Sequence, residues 1–337
     1  MHREPEIEQK IKKLVYTSCN TSVSTIEKLP GAGSSRQYYR IYTHDSKTYL
    51  ACNGTLIDEN KSFIYFSKHF ESKGLHVPKL YSVANDNSLY IVEDCGSIDL
   101  LTEKQKLTSI EIITLYKKTL KELIRFQIQG HLGLDYNRCF VRNTFDEIAM
   151  KWDLSYFKYY YLKLTDIEFN EQKLEVDFNT LISFLLQAKN TFFMYRDFQA
   201  RNILVQNNNL YFIDYQGGMQ GPLQYDVVSL LYQAKAELPQ EMRNTLLNYY
   251  IEEVSKEISI DSKEFINLFQ GFVFIRILQT LGAYGYRGII QQKAHFIASI
   301  PQAVANVKEH ISIISKIIYI PYLQNLIENL PIITPKQ

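Results

Sequence analysis

Four cysteines in 337 residues, Cys19, Cys52, Cys95 and Cys139, lie too far apart to make a C-x-x-C pair, so the sequence suggests neither a zinc cluster nor a disulfide framework. Reduced thiols are the expectation. Charge of one sign is also missing: 37 Lys and Arg against 36 Asp and Glu leave a net charge of +1, which gives no basic footprint for nucleic acid. No run of 18 or more apolar residues appears, and Met1-His2-Arg3-Glu4-Pro5 lacks the apolar core of a signal peptide. A cytoplasmic protein with neither a nucleic-acid nor a membrane partner is expected; the sequence leaves its oligomeric state open. With one tryptophan, nine prolines and 14 glycines, the chain shows no low-complexity tract, internal repeat or long linker.

What is present is apolar and aromatic. At 46% apolar side chains the chain can bury one large core or two moderate ones, and two lobes are expected. Tyrosine and phenylalanine number 25 and 19. Clusters such as Tyr156-Phe157-Lys158-Tyr159-Tyr160-Tyr161 have the rings to stack on a sugar, although helical spacing first suggests core or half-buried surface.

The stretch around which the chain is organised runs from Met194 to Gly217. Two apolar runs, Ile203 to Val205 and Leu210 to Ile213, flank Gln206-Asn207-Asn208-Asn209 and read as a hairpin with an Asn-rich turn. Asp197 and Asn202 stand on the loop entering it, and Asp214 stands where it ends. Transfer of a phosphoryl group from a magnesium nucleotide needs such a set: one carboxylate for the acceptor hydroxyl, an amide and a second carboxylate for the metal. The Asp197 to Asn202 spacing is that of the kinase loop H-R-D-x-x-x-x-N, with Tyr195 in place of the histidine. Taken singly, Asp197 and Asn202 also suit a backbone-bonded turn and Asp214 a strand-end cap. Arg196 and Arg201 read as braces of the loop.

On these residues the sequence resembles the aminoglycoside phosphotransferase family, within the protein-kinase-like fold. It looks most like the sugar-kinase branch, which includes the anomeric kinases of N-acetylmuramate and N-acetylglucosamine. That branch carries H-R-D-F-H-x-R-N, where this chain has Tyr195-Arg196-Asp197-Phe198-Gln199-Ala200-Arg201-Asn202. The resemblance implies Asp197 as catalytic base, Asn202 and Asp214 as magnesium ligands, ATP as phosphoryl donor and a small-molecule hydroxyl, of a sugar by preference, as acceptor. Tyr195 and Gln199 depart from the pattern where histidines are usual. The fold expected is α+β and two-lobed: a small antiparallel β-sheet lobe over residues 1–97 with a hinge at 93–97, then a mostly α-helical lobe over residues 98–337 that carries catalysis and the acceptor.

In chain order, an amphipathic helix over Glu6 to Thr17 and a strand from Ser24 precede Gly31-Ala32-Gly33-Ser34-Ser35-Arg36, a turn whose glycines let backbone amides approach phosphate. By similarity Gly31, Gly33, Ser34, Ser35 and Arg36 lie near the phosphates. The next strand lacks the lysine that grips phosphate in protein kinases: it reads Thr48-Tyr49-Leu50-Ala51-Cys52-Asn53, leaving Arg36, Arg40 or Lys61 to supply the charge. Glu59, opening the following helix, is a candidate partner for that charge. Glu93-Asp94-Cys95-Gly96 resembles the family's hinge, placing Glu93 and Cys95 at the adenine. Helices are expected from Thr108, over Phe145 to Leu164 and over Leu174 to Lys189; the second includes Asp146, Glu147 and Asp153 as possible contacts to substrate hydroxyls. Asp226 suits an N-cap, and the remainder to Leu330 reads as helix broken by Pro301 and Pro321.

Residues 1–97 hold 12 basic and 11 acidic side chains, and the rest 25 of each. Without an acidic excess in the second lobe, a neutral or anionic sugar suits it better than a polycationic aminoglycoside. A kinase of choline-like or homoserine-like acceptors and a catalytically silent scaffold are the alternatives.

Overall fold

The computed structural model describes residues 3–31 and 36–334. Along the chain come α1 (Arg3–Cys19), β1 (Val23–Lys28), β2 (Gln37–Thr43), β3 (Thr48–Asn53), α2 (Ile57–Ser72), β4 (Leu80–Val83), β5 (Leu89–Glu93), α3 (Leu100–Lys104) and α4 (Ser109–Ile128). Then follow α5 (Glu147–Tyr160), α6 (Glu171–Leu185), β6 (Phe192–Met194), β7 (Ile203–Gln206), β8 (Asn209–Phe212) and β9 (Met219–Gly221). Helices α7 (Leu223–Leu231), α8 (Gln240–Val254), α9 (Ser262–Tyr284), α10 (Ala294–Ile297), α11 (Ile300–Ile314) and α12 (Pro321–Glu328) complete it. By internal packing the chain divides into two compact units, Met1–Asn143 with Tyr195–Gly218, and Thr144–Met194 with Met219–Gln337. This division by packing is distinct from the lobe boundary that the sequence reading draws at a hinge near residue 97.

The first unit is built on a five-stranded antiparallel sheet in the order β1-β2-β3-β5-β4. Alternation along β2 buries Tyr39 and Ile41 on one face, where they meet Ile11 and Val15 of α1 with Tyr49, Ala51, Leu89 and Ile91. Each fully buried aliphatic side chain there contributes about 1.5–3 kcal/mol. The opposite face of the same strand carries Arg40, so one strand supplies both core and charge. Helix α4 starts as expected at Thr108, which closes a capping box with Glu111. The β7–β8 hairpin turns through Asn207 and Asn208 at φ 50° and 63°, a two-residue turn that asparagine tolerates better than most residues.

The second unit is helical. Helix α9 packs against α5, α7 and α11, and its length and apolarity, which would also suit a membrane span, match a core helix that is mostly buried. Several expectations are corrected. Helix α5 stops at Tyr160, and Leu162–Leu164 form a separate 3-10 turn. Pro301 and Pro321 open α11 and α12 instead of breaking a helix, because a proline in the first turn has no amide to lose. Asp226 is no N-cap: Pro222 holds that place at φ −78°, α7 begins at Leu223, and Asp226 lies fully buried one turn in. A π-helical turn, Gly285–Ile290, follows α9 and has no signature in the apolar pattern.

His310 of α11 is buried, with Nε2 donating to the Gln270 carbonyl of α9 at 2.8 Å. Burial pushes its pKa down from 6.5 to about 4, against the carbonyl, which favours the charged ring. Between those values the unfolded chain binds a proton that the folded chain refuses, so stability falls as pH drops through that window. We predict a loss of about 2 kcal/mol from this residue between pH 7 and pH 5, read from urea denaturation. His310→Gln should flatten that part of the pH dependence; an unchanged slope would refute the assignment.

Candidate active site

The loop after β6 is fixed from below by aromatic packing. Tyr195, 1% exposed, sets its ring 5.7 Å from Phe126 and 5.2 Å from Phe198, which in turn stacks on Phe212 of β8. Its hydroxyl donates to the carbonyl of Ile213 at 2.6 Å. Tyr195, expected to leave the acceptor pocket in doubt, thus points into the core and ties the loop to the residue before Asp214. The next residue, Arg196, has φ 74°, and Asp214 has φ 70°. Left-handed backbone at a non-glycine residue costs of order 1 kcal/mol or more and persists only where surroundings enforce it.

Hydrogen bonds then gather the three sequence-selected groups. Gln199 N–H donates to the Asp197 carbonyl at 2.8 Å, and Asn202 N–H to the Gln199 carbonyl at 2.8 Å, folding the loop into the 3-10 turn Ala200–Asn202. Asn202 Nδ2 donates to the same Asp197 carbonyl at 2.9 Å and lies 3.5 Å from Asp214 Oδ2. Ile213 N–H donates to the Asn202 carbonyl at 3.0 Å, which closes the frame. Gln199 places Nε2 3.3 Å from Asp197 Oδ1.

Asp214 also receives charge from the residue that leads into β2. Arg36 Nη2 lies 2.6 Å from Asp214 Oδ1 and 3.6 Å from Glu59 Oε1 on α2, with the arginine side chain 4% exposed. Gln216 Nε2 donates to the same Asp214 oxygen at 2.9 Å and sits 3.3 Å from Glu59. Of the three cations considered for the missing strand lysine, only Arg36 takes this place. Arg40 is held by Asp94 at 2.8 and 3.2 Å, and Lys61 pairs with Asp58 on the surface at 2.9 Å. Glu59, suggested as a partner on its position in α2, is that partner.

The remaining sequence candidates are spread more widely. Gly31 is exposed, with open space where a Cβ would stand, while Gly33, Ser34 and Ser35 lie outside the described residues. In the segment expected as a hinge, Glu93 exchanges hydrogen bonds with the backbone of Lys79, and Asp94 accepts from Gly96 N–H at 3.1 Å, where Gly96 takes φ 86°. Cys95 is 1% exposed, and burial raises its thiol pKa, so it stays protonated and unreactive. Asp146, weighed as a substrate contact, caps α5 by accepting from Ala149 N–H at 3.0 Å, and Asp153 is buried.

The donor set fits a hard cation. Asn202 commits its amide nitrogen within the frame, Asp214 offers carboxylate oxygen, and Gln216 Oε1 is buried without a hydrogen-bond partner. Among the described residues no three His, Cys, Asp or Glu side chains form a metal cluster. Oxygens of Asn202 and Asp214 would give magnesium two protein ligands, the others coming from phosphate and water. Two carboxylates facing one guanidinium leave the cluster one negative charge in excess.

Comparison with known proteins decides the family. The chain matches the phosphotransferase enzyme family (APH) over residues 25–257. It belongs to that family. N-acetylmuramate/N-acetylglucosamine kinase of Pseudomonas aeruginosa is 23% identical over 234 residues, 68% of this chain and 66% of the relative. The protein of that name from Neisseria meningitidis serogroup B is 24% identical over 224 residues, 64% of this chain and 64% of the relative. The chain therefore spans slightly less than two thirds of these curated relatives. Amicoumacin kinase hAmiN, solved in complex with AMP-PNP, Ca2+ and Ami, superposes with TM-score 0.62 at 12% identity, covering 100% of this chain and 98% of that one. The shared fold is the two-lobed, kinase-like α+β fold expected from the sequence.

For this phosphotransferase-family chain the sequence reading missed two residues of the frame. Gln216 carries no motif; its one signal is its place two residues beyond Asp214. Tyr195 looked like a loss because its hydroxyl partner is a backbone carbonyl, which side-chain patterns do not reveal. The Arg36 pair carries a stability consequence, since removing one partner leaves Glu59 and Asp214 facing each other. We predict that Arg36→Met costs about 3 kcal/mol in denaturant unfolding at pH 7. Adding Glu59→Gln should recover part of that; equal stability of Arg36→Met and the parent would rule out the pair as a stabilising contact.

Proposed function

We propose that the protein moves the γ-phosphoryl group of ATP to a hydroxyl of a small sugar, an amino sugar at its anomeric hydroxyl being the preferred acceptor. The observation that carries this is the single frame in which Asp197, Asn202 and Asp214 are linked through Asn202, with Arg36 paired to Asp214. In this reading Asp197 orients the acceptor hydroxyl and takes its proton as the oxygen attacks the γ-phosphorus. The bond from that phosphorus to the β–γ bridging oxygen breaks, and ADP leaves. Asn202 and Asp214 would hold Mg2+, which when bound would supply positive charge against the phosphates. Arg36, kept in place by Glu59, supplies the cation that protein kinases draw from a strand lysine. Gly31 covers the phosphates, Glu93 and Cys95 present backbone to adenine, and residues 93–97 act as the hinge between lobes 1–97 and 98–337.

Family membership supports phosphoryl transfer, the two sugar-kinase relatives support the acceptor class, and the AMP-PNP bound to hAmiN supports a nucleoside triphosphate. A silent scaffold is less well supported: its motives were the missing lysine, for which Arg36 offers a cation beside Asp214, and Tyr195, which packs in the core. The direct experiment is ADP release by the purified protein with magnesium ATP against sugars, amino alcohols and aminoglycosides. Release above background with sugars alone is the expected result; release with no acceptor, together with no ATP shift of the melting temperature, would defeat the reading.

Two substitutions separate the roles. Asp197→Asn should lower turnover by roughly 10² to 10⁴ while leaving ATP affinity nearly unchanged. Asp214→Ala should abolish metal-dependent nucleotide binding, measured calorimetrically with and without Mg2+. Unaltered magnesium-ATP affinity in that variant would remove Asp214 from the metal site.

A further inference from the structure

Helix α5 and the π-turn after α9 bring half-exposed aromatic rings into one corner of the second unit. Tyr156 and Tyr160, one turn apart on α5, stand 4.8 Å apart, ring centre to ring centre, at 62°. Tyr286 of the turn Gly285–Ile290 lies 4.9 Å from Tyr160 and 6.4 Å from Tyr156. Trp152, the chain's single tryptophan, precedes Tyr156 by one turn of α5 and is 52% exposed.

The corner depends on close backbone approach. A Cβ on Gly285 would fall 1.7 Å from the Tyr160 carbonyl oxygen, and one on Gly282 2.6 Å from that of Tyr156. Only glycine at both positions lets α9 run this near α5. The π-turn then winds wider than the helix before it, which moves Tyr286 and Arg287 off the register of α9; such turns recur at functional sites.

Arg287 adds a cation. It forms no ion pair among the described residues, its guanidinium lies 5.4 Å from the Phe296 ring centre, and its charge acts on the Tyr156 hydroxyl, whose pKa burial otherwise raises. Half-exposed aromatic faces suit the apolar C–H face of a pyranose, and an arginine without an acidic partner suits a carboxylate. All the residues of the turn lie beyond the stretch, 25–257, over which the family matches, whereas Tyr156 and Tyr160 lie within it.

We propose that Tyr156, Tyr160, Tyr286 and Arg287 form a binding site for a pyranose that carries a carboxylate, the rings packing on the sugar and Arg287 pairing with the acid. The inference rests on the sugar-kinase reading for the class of ligand. The test titrates the full chain with N-acetylmuramate, which carries a carboxylate, and N-acetylglucosamine, which does not, reading Trp152 fluorescence and calorimetric heat. Both should bind, the acid about tenfold more tightly. Arg287→Gln should weaken the acid about tenfold and leave the neutral sugar within about twofold. Tyr160→Ala and, as a second variant on a different element, Tyr286→Ala should weaken both, with the ATP-induced melting shift retained as a check of folding.

Absence of binding by either sugar to the parent protein, an equal loss of both sugars in Arg287→Gln, or unchanged affinities in the tyrosine variants would overturn the site. Phosphoryl transfer is read separately. If both sugars bind and respond to the variants while ADP release never rises, the transfer reading fails and the site stands. If release rises with sugar and the variants leave its sugar dependence unchanged, the site fails and the transfer reading stands.

Discussion

The first unit depends on how it accommodates Asp214. A carboxylate in a partly buried position has to be matched by donors, and this one has three neighbours of different origin: Arg36 from the lead into β2, Gln216 from its own segment and Asn202 from the preceding loop. A guanidinium suits the task because it stays charged in any surroundings and spreads several donors over a plane, so it can face Glu59 and Asp214 together. A lysine on the neighbouring strand would supply one compact charge. Here the charge comes from the residue just before β2 and not from β3.

That electrostatic arrangement demands a stiff support, which the aromatic residues provide. Tyr195, Phe198, Phe126 and Phe212 form a continuous aromatic cluster beneath the loop, mostly edge to face, and Tyr215, next to Tyr195, stacks on Phe63 at 5.1 Å and shares a hydrogen bond with Ser67 at 2.6 Å. Arg196 and Asp214 adopt left-handed backbone above this support. Without it the chain would relax toward ordinary φ values and the Asn202 bridge would open. Stability of the core and geometry of the polar frame are thus one requirement met by the same residues.

The legibility of these features in the sequence follows from their physics. The hairpin and the Asp197, Asn202 and Asp214 set were readable because strand alternation, a two-residue asparagine turn and a fixed loop spacing each leave a local pattern. The choice among Arg36, Arg40 and Lys61 was not, since it turns on partners far apart in the chain: Asp94 claims Arg40, while Asp214 and Glu59 take Arg36. Asp226 misled because a polar residue before an apolar run resembles a cap, whereas Pro222 sets the start of α7. The π-turn leaves no trace because its cause is steric: Gly282 and Gly285 clear the way for backbone of another helix.

A general asymmetry follows for the two ends of such a reaction. Triphosphate and metal impose fixed charges at fixed separations, so only a few residue types at a few spacings serve, and the family is recognisable over residues 25–257 at low overall identity. A sugar asks for ring faces and scattered hydrogen-bonding groups, which any pair of adjacent helices can offer. Acceptor choice is therefore free to drift onto segments with no motif, such as the turn that carries Tyr286 and Arg287. Within a family that shares its fold across differing acceptors, specificity is better sought in unpaired charge and exposed aromatics than in the residues that define membership.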